Sequence, residues 1–157
     1  MRTTWLMAAV VAGMLAMTVA AGAQLADKKV LTLEASKKVA AAAEAEAKKQ
    51  GARVVIVVVD DGGHVLLLER LDDTQVASVE VGIGKARTAA IFRRPSRVFE
   101  EQVKNGRVAA LGLPGATPLQ GGVPITAGGR VIGAIGVSGE TPQQDEDIAK
   151  AGAEALK

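Results

Sequence analysis

The single histidine of the chain, His64, follows a short acidic turn, Asp60-Asp61-Gly62-Gly63, and no other side chain offers more chemistry. An imidazole can act as a general base or bind a metal. Asp60 and Asp61 are near enough in sequence to accept its second ring N–H, which would orient the ring and raise its basicity. For each of these carboxylates alone, turn chemistry is the commoner role. For His64 alone, an exposed strand-end position is commoner than ligation. A Ser-His-Asp set has no support, because no serine lies in a G-x-S-x-G elbow and Ser138 is merely followed by Gly139. A two-histidine iron site is impossible with one histidine. His64 with Asp60, Asp61, Asp72 or Asp73 would hold a metal only weakly.

A second group of residues suits an anion. Lys85 lies among small residues, Gly82, Gly84 and Ala86, and is expected to point inward towards an acidic ligand. A buried ammonium needs such a partner. Gly121-Gly122 lies in a segment stiffened by Pro114, Pro118 and Pro124, and its N–H groups can approach a carboxylate closely. Gly128-Gly129 reads as simple hairpin geometry. Arg87, Arg93, Arg94 and Arg97 cluster near Lys85, mostly as solvated charges.

Those residues need elements to hold them. Val54 to Val59 is an unbroken apolar run, β-branched throughout, and predicts a strand buried on both faces. Val65 to Leu71 runs back as a second strand, so the acidic turn closes a hairpin. Thr32 caps a helix from Leu33 to about Gln50, with Gly51 as its stop. Asp73 or Thr74 caps a helix from about Gln75 to Phe92, and Ser96 caps a short one to Lys104. An irregular strand over 120–126, the Gly128-Gly129 turn and a strand from Arg130 to Ser138 make a second hairpin, with a further strand suggested near Leu119. Thr141-Pro142-Gln143-Gln144 starts the last helix. Two hairpins among four helices predict an α+β fold, an antiparallel sheet with helices packed on it.

Composition bounds the partners. The chain has 157 residues, enough for one domain, with 19 basic and 17 acidic side chains. That near balance gives no reason to expect a nucleic-acid partner. The absence of cysteine excludes disulfides and thiolate chemistry. Arg2, the apolar run Leu6–Ala21 and Ala21-Gly22-Ala23 together read as a signal peptide over residues 1–23, with Gln24 as the new N-terminus. The expectation is a domain over residues 24–157, periplasmic or secreted, with no stable membrane insertion after cleavage.

Four stretches taken together, VVVDDGGHVLLLERLD, GIGKARTAAIFRRPS, LPGATPLQGGVPI and VIGAIGVSGETPQQDEDIAKAG, resemble the GlcG/HbpS-like family, also called the haem-degrading domain family. The likeness runs from about Leu31 to Leu156. It implies a single five-stranded antiparallel sheet with helices around it, in the manner of profilin and PAS layering, and assembly into dimers or larger homo-oligomers. Some members of the family bind haem or are linked to haem degradation or iron, and related domains are fused to cobalamin-handling enzymes. The motif positions are Asp60, Gly63, His64, Arg70, Lys85, Gly121, Gly122, Pro124, Gly136 and Gly139. Departures occur at Asp72-Asp73-Thr74, where Asp-Gly-Ala is frequent, and at Arg87, where an aromatic often stands.

The N-terminal pattern implies export, and the resemblance implies binding of haem or a related anionic cofactor. The expected cofactor-binding residues are His64, Arg70, Lys85, Gly121 and Gly122. Haem iron is usually held by His, Cys, Met or Tyr. Residues 24–157 contain none of the last three, so if a side chain binds the iron, His64 is the expected ligand, with a lysine or a carboxylate as weaker alternatives. The alternatives are an enzyme or accessory protein of a catabolic pathway that uses the same pocket for a small organic acid, and a subunit with no ligand.

Overall fold

The computed structural model describes residues 25–157, so the expected signal peptide lies outside the described residues. Its organising strand is β1 (Val55–Asp60), with five of six residues buried. Ile56 and Val58, with Val54 just before the strand, belong to one core, while Val55, Val57 and Val59 belong to the other. A run with no polar side chain has no solvated face to offer, so it takes the middle of the sheet. Its partners are β2 (Val65–Arg70) and β4 (Arg130–Ser138), and β3 (Gly122–Ala127) pairs with β4. The order is β2-β1-β4-β3, antiparallel throughout.

One face of the sheet carries α1 (Leu33–Gln50) and α4 (Pro142–Glu154). The Thr32 hydroxyl accepts the Ala35 N–H at the start of α1, and Gly51 ends it with φ 64°. Val39, Ala40, Ala43 and Ala47 are buried, and side chains that small let the helix lie close to its neighbours. The other face carries α2 (Ser78–Ile91) at very short range. A Cβ on Gly136 would lie 2.3 Å from the Gly82 carbonyl oxygen and 2.5 Å from the Ala86 nitrogen. One on Gly122 would lie 2.2 Å from the Lys85 carbonyl oxygen. Helix backbone touches sheet backbone here, which only glycine permits. A short helix, α3 (Arg97–Lys104), and a 3₁₀ turn (Val108–Gly112) complete the element list.

Three expectations need correction. The sheet has four strands, and the segment near Leu119 is not a fifth. Its backbone groups are met by side chains instead of a ladder. The Ser96 hydroxyl donates to the Leu119 carbonyl at 2.6 Å, Thr88 Oγ1 accepts the Thr117 N–H at 2.7 Å, and Glu100 accepts the Gln120 N–H. Pro118 has no N–H to offer a neighbouring strand. The second helix begins at Ser78, not Gln75, because Asp73 adopts φ 61° and the Thr74 hydroxyl donates to the Leu71 carbonyl. Ser96 makes no side-chain cap on α3, since its hydroxyl is committed to Leu119 and Gly122. Among the described residues, no helix is long and apolar enough to cross a membrane.

Candidate functional site

The turn between β1 and β2 is held by its first acid. One Asp60 carboxylate oxygen accepts the backbone N–H groups of Gly62 and His64, each at 2.9 Å, and the Asp60 N–H donates to the His64 carbonyl. Asp61 pairs with Lys28 at 2.7 Å, and the hydrogen bond from that ammonium is the main reason its carboxyl sits below the ordinary aspartate value. Both acids are thus engaged elsewhere. The expectation that one of them orients the imidazole is not met, and among the described residues the His64 ring makes no hydrogen bond. His64 is exposed. Beside it, Val65 and Leu68 are 46% and 36% exposed, on the face where β1 is covered by α2 but the edge strand is not.

Lys85 points inward, as expected, but its acidic partner belongs to the chain. Its ammonium lies 2.7 Å from an Asp145 carboxylate oxygen and donates to the Val137 carbonyl at 3.0 Å, with both side chains nearly solvent-free. Burial pushes the Asp145 carboxyl up, and the Lys85 ammonium opposes that push. The other Asp145 oxygen accepts the Glu140 N–H at 3.1 Å. Gly121 and Gly122 are packed into this cluster. A Cβ on Gly121 would sit 2.9 Å from the Lys85 nitrogen, and the Gly122 N–H donates to the Ser96 hydroxyl at 2.8 Å. The bridge joins α2, β4 and the first turn of α4. Asp145 is the residue that sequence reasoning missed. It stood in a helix first turn, where an acid is ordinary, and nothing local marked it as buried.

Arg70 stands apart from both places. It pairs opposite Val55, while Val65 pairs opposite Val59, so His64 and Arg70 mark opposite ends of β2, about 20 Å apart at roughly 3.3 Å per residue. The structure brings Lys85, Gly121 and Gly122 together and leaves His64 and Arg70 each alone. Among the described residues no three metal-binding side chains converge, so Asp60, Asp61, Asp72 and Asp73 do not assemble a cation site around His64.

A cavity lies at the same end of the sheet as His64, beside Asp61. It measures about 930 Å³ and is bounded by residues 26–29, Asp61, Arg93 and the β3–β4 turn at Gly128-Gly129. The two phenylalanines are elsewhere and pack on one another, with ring centres 4.9 Å apart.

Comparison with known proteins agrees with this architecture. Residues 31–154 match the family model described as haem degrading protein HbpS-like, and the chain belongs to that family. It is similar to crystal structures of HbpS. With a double mutant of the Streptomyces reticuli protein it shares 35% identity and a TM-score of 0.79, over 88% of this chain and 94% of that one. A PduOC:haem complex superposes with a TM-score of 0.74 at 25% identity, covering 81% and 95% of the two chains. Protein GlcG of Escherichia coli K12 is 47% identical over 75 residues, a match spanning 48% of this chain and little more than half, 56%, of GlcG.

Proposed function

We propose that this protein is exported and binds haem through His64, with a role in haem or iron handling. The observation that carries the proposal is an exposed imidazole, free of hydrogen bonds among the described residues, in a domain whose fold is shared with a haem complex. The local surface fits a porphyrin in two respects. The imidazole is the only strong iron ligand within residues 24–157. The half-exposed Val65 and Leu68 beside it offer apolar surface to a ring edge. Haem, when bound, supplies an iron centre and its redox chemistry. His64 would hold the iron through a ring nitrogen, and Val65 and Leu68 would offer an apolar shelf. Neither Phe92 nor Phe99 is available for stacking, so the shelf is aliphatic. Lys85, Gly121 and Gly122 support the domain from within, and Arg70 lies too far along β2 to share a ligand with His64 except through a large one.

Haemin titration of wild type and His64→Ala tests the assignment. The wild-type Soret band should shift and saturate, with an iron spin state that His64→Ala does not reproduce and an affinity at least tenfold higher. Identical spectra and affinities in the two proteins would remove His64 as ligand.

Export is supported by the Ala21-Gly22-Ala23 site behind a short apolar run. A homo-oligomer is supported by large apolar side chains left in solvent, Val76 at 75% and Val108 at 64% exposed. Exported material should begin at Gln24 and show at least twice the chain mass by light scattering. A retained Met1 would refute the cleavage, and a monomer mass would refute the assembly.

A further inference from the structure

The cavity beside the Gly128-Gly129 turn has the size of a small-molecule site, roughly 300–1,000 Å³, and an unusual balance of charge. Lys28, Lys29, Arg93 and Arg130 line it against Asp27 and Asp61. Lys28 and Asp61 neutralise one another at 2.7 Å. Lys29, Arg93 and Arg130 face the cavity without a carboxylate at ion-pair distance among the described residues. Ala127, Val131 and Ile132 supply an apolar wall. Arg93 follows the end of α2 with φ 55°, the left-handed conformation in which helices commonly stop.

We infer that this cavity binds the carboxylates of an organic anion, with Arg93 and Arg130 as the fork-shaped donors and Lys29 as a point charge. Its position at the His64 end of the sheet admits two sources of those carboxylates, the propionates of a porphyrin or a free organic acid.

The test uses iron-free probes, so that ligation by His64 plays no part. Wild type, Arg93→Gly and Arg93→Gly/Arg130→Gln are titrated with citrate, with protoporphyrin IX and with its dimethyl ester. Citrate or protoporphyrin IX should saturate wild type. Each substitution should weaken that probe by about tenfold, the worth of one charge-assisted hydrogen bond. Arg93→Gly should nonetheless melt no lower than wild type, because glycine relieves the left-handed backbone. Saturation by citrate identifies a free acid. Saturation by protoporphyrin IX, but by neither citrate nor the ester, identifies the propionates. The proposal fails if neither acid saturates, if protoporphyrin IX saturates without citrate and its ester binds as tightly, or if Arg93→Gly leaves affinity unchanged. It can fail while haemin still binds His64, and the reverse, so the two sites are tested separately.

Discussion

Lys85→Ala is expected to cost about 3–5 kcal/mol of folding stability, because it leaves the Asp145 carboxylate buried without its counter-charge. That is a large part of the roughly 5–15 kcal/mol available to a domain. The effect should belong to the pair and not to lysine itself. In Lys85→Met/Asp145→Leu no charge is stranded, and stability should return to within about 2 kcal/mol of wild type, the residue being the Glu140 N–H that Asp145 used to accept. Urea unfolding of Lys85→Met, Asp145→Leu and the double variant gives the coupling directly. If Lys85→Ala kept its midpoint but lost affinity for anionic ligands, Lys85 would be a ligand-binding residue and the bridge a minor contact.

Gly136→Ala should cost about 3 kcal/mol, at the upper end of overpacking effects. The added methyl would meet the Gly82 carbonyl oxygen at 2.3 Å and the Ala86 nitrogen at 2.5 Å, and neither is the flexible tip of a side chain. To make room, α2 must lift from the sheet, carrying Lys85 away from Val137 and Asp145. Gly112→Ala is the control. A Cβ there meets nothing within 4 Å, and its cost should stay within about 0.5 kcal/mol. Equal midpoints for the two variants would mean that α2 does not rest on Gly136.

What the sequence disclosed follows from the range of the interactions involved. The central strand was legible because six consecutive apolar residues at 54–59 leave no face for water. The start of α4 was legible because Thr141, Pro142 and Gln144 act within a few residues, and the Thr141 hydroxyl indeed accepts the Gln144 N–H. Nothing local marked Gly136 or Gly122 as the seat of one particular helix. What failed was non-local. The segment near Leu119 carries a strand-like pattern, yet Ser96 and Glu100, each some twenty residues away, hold its backbone in a loop. Lys85 and Asp145 are 60 residues apart, and no local pattern announces their meeting. Asp60, at the end of β1, holds the turn through one carboxylate oxygen on the Gly62 and His64 N–H groups, and no local pattern told that backbone role from a bond to the imidazole.

The central claim is that the protein binds haem at a defined site. Haemin titration of the chain from Gln24 to Lys157, followed in the Soret region against a stoichiometric standard, addresses it most directly. A break at one haem per chain, or per dimer, with an imidazole-ligated spectrum is the predicted result. A Soret change that rises without saturation, or that never departs from free haemin, would contradict it.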